Sequence, residues 1–227
     1  MPSFDSTADR ALEAADDAER AGLHGVFAYD HLWQPDTDEN PSIMPFPLLG
    51  AVAATTSRIR LGTLVVRVAL SLDELVVHSF ITLDRLSNQR VIAGIGTGDA
   101  KSAAEHGAFG LPYESAAIRR VALAKCASAL VGAGIETWIG GGGDATNAIA
   151  HEAGIAVNLW SAKPERIAAL SSSSPVTWGG VLHPGEDGGA LLRALERAGA
   201  QWAVFTWGRG LEPLLTAARD ARIALEA

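Results

Sequence analysis

The sequence predicts a parallel α/β fold: a compact (β/α)8 barrel of the TIM type with a short or missing first strand. Three observations carry this. Short apolar runs alternate strictly with segments of helical period, the pattern of a parallel sheet wrapped by helices. The runs show little polar alternation, as expected of strands covered on both faces. Seven runs and eight helical segments fill 227 residues with no composition break, which favours one barrel domain, residues 1–227, over the two halves of a Rossmann sheet.

The first helix, Ala8–Ala21, sets Ala11, Leu12, Ala15 and Ala18 on one face, with Asp9, Glu13, Asp17 and Glu19 elsewhere. It should follow a strand, and Met1–Phe4 reads as the end of one. Strand runs then come at Val26–Tyr29, Arg60–Val66, Arg90–Gly96, Glu136–Gly140, Ala156–Trp160, Val176–Leu182 and Gln201–Trp207. The other helices are expected at Phe46–Thr56, Leu72–Leu86, Ser115–Leu130, Asp144–Glu152, Pro164–Leu170, Gly188–Arg197 and Leu211–Leu225. Pro164 and Pro213 fall near helix starts, where a missing N–H costs nothing.

Composition narrows the function. Hydrophobic residues make up 48 % and charged residues 19 %, enough to bury a large core and too apolar for disorder. Eighteen Lys and Arg stand against 26 Asp and Glu, a net charge of -8, which argues against nucleic acid or an anionic membrane as partner. A lone Cys126 excludes an internal disulfide and a cysteine-built zinc site, in keeping with a reducing cytoplasm. Met1–Asp5 has neither a basic nor an apolar leader region, so no signal peptide is expected. The apolar stretch from Leu61 to Val77 is broken by Arg67, Asp73 and Glu74, so no membrane span is expected.

In a parallel barrel, reactive groups sit at the C-terminal ends of strands. The second strand position ends in Tyr29-Asp30-His31, followed by Leu32-Trp33. That Asp-His pair is either a site or a capped turn. The third run, ending at Arg67, reads as a buried strand. The fourth ends Gly94-Ile95-Gly96-Thr97-Gly98-Asp99; its alternate glycines would let something flat or anionic approach the backbone. The fifth runs into Gly140-Gly141-Gly142-Gly143 before a helix starting near Asp144. Free N–H groups and a helix dipole make a natural phosphate site there. Asp144, as an expected N-cap, would compete with the phosphate. His106 fits either the cleft or a loop, His78 fits a helix face, and His24, His151 and His183 show no metal spacing, so no metal is expected.

These residues resemble a family, the bacterial luciferase-like flavin and deazaflavin oxidoreductases. Thr82-Leu83-Asp84-Arg85-Leu86-Ser87-Asn88-Gln89-Arg90, running into Gly94–Asp99, is similar to its "TLD-x-LS-x-GR … G-x-G-x-G" stretch, with Gln89 for the usual glycine. Ala18-Glu19-Arg20-Ala21-Gly22 with Asp30-His31, Thr56-Ser57-Arg58-Ile59-Arg60-Leu61-Gly62-Thr63, Phe109-Gly110-Leu111-Pro112-Tyr113 and Asn158-Leu159-Trp160 resemble further family segments in the same order.

The resemblance implies a barrel that binds FMN or the deazaflavin coenzyme F-420 at its mouth, with a non-proline cis peptide at Leu64–Val65. It implies an oxidoreductase moving a hydride between the deazaflavin C5 and a small organic substrate. An FMN-dependent monooxygenase and a non-catalytic flavin-binding relative are the alternatives. His31 is implied over the reactive ring carbon as the first catalytic residue. Asp99, one methylene shorter than the family's usual glutamate, is the second. Asp30, Leu64, Val65, Thr97 and Gly98 would shape the ring site, and Gly140, Gly141 and Gly142 would hold the phosphate. Trp160 and Lys163 are the candidate substrate contacts. A 227-residue chain leaves no room for the insertion that contacts sugar phosphates in larger members. A homodimer in the cytoplasm is expected.

Overall fold

The computed structural model describes residues 1–3, 7–32, 42–100, 102–108, 110–208, 210–223 and 225. Phe4, Trp33 and Phe109, which entered the reading above, lie outside them. In chain order the elements are α1 (Asp9–Arg20), β1 (Gly25–Ala28), α2 (Pro45–Thr55), β2 (Arg60–Thr63), β3 (Val66–Arg67), α3 (Asp73–Leu86), β4 (Val91–Gly96), α4 (Ser102–Ala108) and α5 (Ala116–Gly132). There follow β5 (Glu136–Gly141), α6 (Asp144–Ala153), β6 (Ala156–Trp160), α7 (Pro164–Ser171), β7 (Val176–Gly180), α8 (Gly188–Arg197), β8 (Ala200–Phe205) and α9 (Glu212–Ala221). Every strand pair is parallel, in the order β1-β2-β4-β5-β6-β7-β8, with β3 also on β4. The sheet curls into the expected TIM-type barrel.

The Leu64–Val65 peptide is cis, as the resemblance implied; the third run divides there into β2 and β3, and pairing with β4 resumes at Val66 opposite Ile95. Two details depart from expectation. α4 occupies a stretch read as loop: Ser-Ala-Ala-Glu-His-Gly-Ala has no apolar stripe to announce it. The last helix stops at Ala221, where Arg222 turns left-handed at φ +61°.

Residues 1–3 form no strand. Among the described residues no ladder joins β8 to β1. The Met1 ammonium donates to the Phe27 carbonyl at 2.8 Å, and the Ile43 N–H donates to the Ser3 carbonyl at 2.8 Å. Along the rest of this seam runs a cavity of about 520 Å³, lined by Val26, Phe27, Leu195, Ala203 and Phe205 among others.

β4 and β7 are buried along their whole length, as their unbroken apolar runs require, while β8 at the open seam is half-buried. On β4, Val91, Ala93 and Ile95 join the layer under the helices. Ile92 points into the barrel with Phe27, Leu64, Trp138 and Ala156. Phe27 stacks on Trp138 with ring centroids 5.3 Å apart, and Trp202 closes on Trp138 at 5.5 Å. This aromatic filling explains Gly62, where a Cβ would lie 2.5 Å from Phe27 Cε1.

The matched family segments around Glu19, Thr56–Ile59 and Arg90 close the opposite end. Buried Arg90 donates to the carbonyls of Ala53, Thr56, Ile59 and Ser87 and to Thr56 Oγ1, capping the C-terminal turns of α2 and α3. Glu19 accepts the N–H groups of Ser57, Arg58 and Ile59 at 2.7 to 3.1 Å. In a barrel, such residues at the N-terminal face hold structure and do no chemistry.

Candidate functional site

The site grows from the split between β2 and β3. The Val65 side chain turns into the barrel mouth and fills the space that three glycines leave. A Cβ would lie 2.7 Å from Val65 Cγ2 at Gly96 and 3.1 Å from Val65 Cγ1 at Gly140, and only 2.0 Å from the Thr63 carbonyl oxygen at Gly94. This corrects the reading of the alternate glycines as room for a ligand: what comes close is the chain's own bulge. Gly140 likewise faces Val65. Leu64 is buried behind it among the barrel aromatics.

One residue further along β5, Gly141 points the other way, where a Cβ would meet Val157 Cγ1 at 2.4 Å and Asn147 Oδ1 at 2.7 Å. Gly142 has nothing within 4 Å of that position. Gly143, not Asp144, is the N-cap of α6, and no side chain caps it. Asp144 therefore does not cap the helix, although its carboxylate belongs to the first turn. Its side chain is fully exposed and leans toward Arg166 of α7 at 3.7 Å. Asn147 is 8 % exposed and neither side-chain amide atom has a hydrogen-bond partner. An open glycine loop without a side-chain cap thus begins one residue from the bulge, with an unsatisfied polar group beside it.

Above the bulge lies a charged cluster. Asp30 is buried: its Oδ2 accepts the Arg67 backbone N–H at 2.8 Å and Nε at 3.4 Å. Arg67 Nη2 donates to Glu105 Oε2 at 2.9 Å, and the Leu32 N–H donates to the same oxygen at 2.7 Å. The other Glu105 oxygen meets His31 Nδ1 at 2.9 Å. Burial alone would raise the Glu105 carboxyl, but the bonds from His31, Leu32 and Arg67 carry it below its ordinary value. Arg67 Nη1 is buried without a partner. Asp30, expected at the cofactor, thus anchors Arg67.

Sequence reading missed Arg67 and Glu105. An arginine ending an apolar strand was the available signal, since a buried guanidinium needs carboxylates.

Asp99 Oδ1 accepts the Ser102 N–H at 3.2 Å and starts α4, the helix that carries Glu105. Gly98, at φ +68°, lies against Arg67 Cδ and Ser102, where a side chain would not fit. Arg119 donates to the Thr97 carbonyl at 3.0 Å and lies over the Tyr113 ring at 4.2 Å. Tyr113 in turn donates to the Asp99 carbonyl. His106 is buried with Nδ1 against the Pro112 carbonyl, so it fastens this loop and does not enter the cleft.

Trp160 is half exposed at the end of β6. Its ring is edge-on to Tyr29 at 6.4 Å, and Tyr29 is 6.5 Å from His31. Burial pushes the Tyr29 hydroxyl up to about 12. The three rings form one rim of the mouth. Lys163 is exposed at the N-cap of α7. Among the described residues no three His, Cys, Asp or Glu side chains gather as a metal site.

The model of the luciferase-like monooxygenase family matches residues 2–123, more than half of the chain and the part that carries the bulge, His31 and Glu105. This chain belongs to that family. A relative from Beutenbergia cavernae, an F420-dependent glucose-6-phosphate dehydrogenase, is 38 % identical over 99 residues. The match spans 42 % of this chain and 28 % of that enzyme. An F420-dependent secondary alcohol dehydrogenase, solved with an F420-acetone adduct, superimposes with a TM-score of 0.72 at 14 % identity over 89 % of this chain and 90 % of the other. A riboflavin lyase solved with modified FMN gives 0.66 at 14 % identity over 85 % and 60 %. At such identities the likeness is one of fold.

Proposed function

We propose that this luciferase-like chain is an F420-dependent oxidoreductase moving a hydride between the deazaflavin C5 and a small organic substrate. One observation carries the reading: the Val65 bulge and the open Gly142–Gly143 helix start adjoin on β5. That spacing suits a ring against the bulge and a phosphate at the N-terminus of α6. The orphaned Asn147 Nδ2 donor and the uncapped first turn of α6 fit an anion that would accept from them. The F420-dependent relatives in both comparisons support the same cofactor.

The deazaflavin, when bound, supplies a two-electron hydride carrier. The chain's own residues hold and orient it and manage the proton. Val65, Thr97 and Gly98 border the ring site, with Leu64 behind. Gly141, Gly142 and Gly143 offer backbone N–H groups to the phosphate. His31, 34 % exposed beside the mouth, exchanges a proton with the substrate oxygen, a task suited to an imidazole at neutral pH. Asp99 contributes by building α4. Trp160 gives the substrate an aromatic wall, and Lys163 meets an anionic substrate or cofactor tail.

The same reading includes a cytoplasmic homodimer. Leu72, Leu75, Ile118 and Val121 are exposed on the adjoining α3 and α5 region, an apolar face suited to a second copy. Mixing the protein with oxidised F420 and a panel of small alcohols tests the activity. Loss of the oxidised cofactor's visible absorbance is expected, and its absence across the panel and in the reverse, carbonyl-reducing direction counts against turnover.

A further inference from the structure

We propose that Glu105 is the positioning residue that sets the tautomer of His31, an inference that rests on His31 being the proton-handling group. The Glu105 carboxylate has only acceptor sites. Facing His31 Nδ1 at 2.9 Å, it keeps the ring proton on Nδ1 and makes Nε2 the basic nitrogen.

The carboxylate is itself fixed. Leu32 N–H and Arg67 Nη2 hold its second oxygen at 2.7 and 2.9 Å, and Asp30 holds Arg67. The side chains of Arg67, Asp30 and Glu105 are 5 to 7 % exposed, while that of His31 is 34 % exposed. A buried frame therefore presents one accessible imidazole.

The charge count points the same way. Among the described residues, His31 meets Glu105 of α4 and has the Tyr29 ring at 6.5 Å, while Arg67 of β3 and Asp30 join the cluster through Glu105. Asp30 and Glu105 carry two negative charges against one on Arg67. A proton reaching Nε2 brings the cluster to neutrality. When a substrate hydroxyl gives up its proton, the O–H bond breaks, the Nε2–H bond forms and the Nδ1–H stays on Glu105. This is the role an orienting carboxylate plays in a catalytic triad. It also explains why α4, unannounced by any apolar stripe, is built and capped by Asp99.

The test is the nitrogen-15 spectrum of the apo protein at a pH where the ring is neutral, with His31→Asn identifying the His31 signals. A protonated Nδ1 and a bare Nε2 are expected. In Glu105→Gln, the amide oxygen takes over the bonds from Leu32 and Arg67, so the amide NH2 faces His31 Nδ1. The ring must then accept there and carry its proton on Nε2. The tautomer should invert while F420 affinity holds and turnover drops roughly 10- to 10³-fold, no more than loss of the base itself. A wild-type ring protonated on Nε2, or an unchanged tautomer in folded Glu105→Gln, overturns the proposal. If Glu105→Gln does not fold, the wild-type spectrum still decides. Because the readout needs no cofactor, the tautomer result stands apart from the cofactor reading, which a failure to bind F420 would sink by itself.

Discussion

His31 and Glu105 lie 74 residues apart in the chain and 2.9 Å apart in the fold. That bond joins the loop after β1 to a helix that no periodicity announces, and it makes a loop histidine an oriented one. Removing His31 should therefore separate chemistry from binding. His31→Ala is expected to lower F420-dependent turnover by roughly 10²–10⁴ and to leave F420 affinity within a few-fold, measured by steady-state kinetics beside a binding titration. A mutant that loses affinity instead would place His31 among the cofactor's supports.

Gly143 offers the cleanest probe of the anion site. Its φ of -93° suits any residue, and a Cβ there meets only Thr146 Oγ1, at 3.9 Å. Gly143→Asp should cap α6 and leave thermal stability equal or slightly raised, by a few tenths of a kcal/mol. The same carboxylate should weaken F420 binding about tenfold or more, while Gly143→Asn caps without the charge and weakens it less. Equal losses from both variants would point to crowding, and no loss from either would remove the phosphate from this loop.

The fit of Val65 against Gly96 can be tested by a mutant cycle. Gly96→Ala puts a methyl 2.7 Å from Val65 Cγ2 and should cost about 1–3 kcal/mol, with weaker F420 binding as the bulge shifts. Val65→Ala in the same chain should recover most of the stability. Additive losses would show that the two side chains do not meet.

Acid stability should depend on Glu19. Burial by itself would raise its carboxyl, but the N–H groups of Ile59, Arg58 and Ser57 and the Ser57 hydroxyl together bring it from 4.5 to about 2. A depressed folded-state value stabilises fully above about pH 4.5, and the benefit disappears as pH falls toward 2. Glu19→Gln should melt about 2–5 °C lower at pH 7, with the gap closing between pH 4.5 and 2. A gap that persists at pH 2 would make the loss one of packing alone.

The barrel was legible because the central strands are buried on both faces and so read as unbroken apolar runs, as Val91–Ile95 does. The cis peptide at Leu64–Val65 was legible only through family resemblance; nothing in Leu-Val itself marks it. The glycines at Gly94 and Gly96 were legible as a need for space, but not for whose atoms. The bond from the Ser102 N–H to Asp99 was not legible, because an acid at a strand end and one at a helix start have the same local sequence. Glu105 was hidden because its partners, His31, Leu32 and Arg67, come from two distant segments that only the folded sheet brings together.

Whether the Val65 bulge and the Gly142–Gly143 helix start form one deazaflavin site is tested most directly by a side-by-side titration of the purified protein with F420 and with FMN, followed by their fluorescence and absorbance. F420 should bind more tightly, and Gly143→Asp should weaken that binding. Tighter binding of FMN, together with oxygen-dependent turnover, would rule the deazaflavin site out.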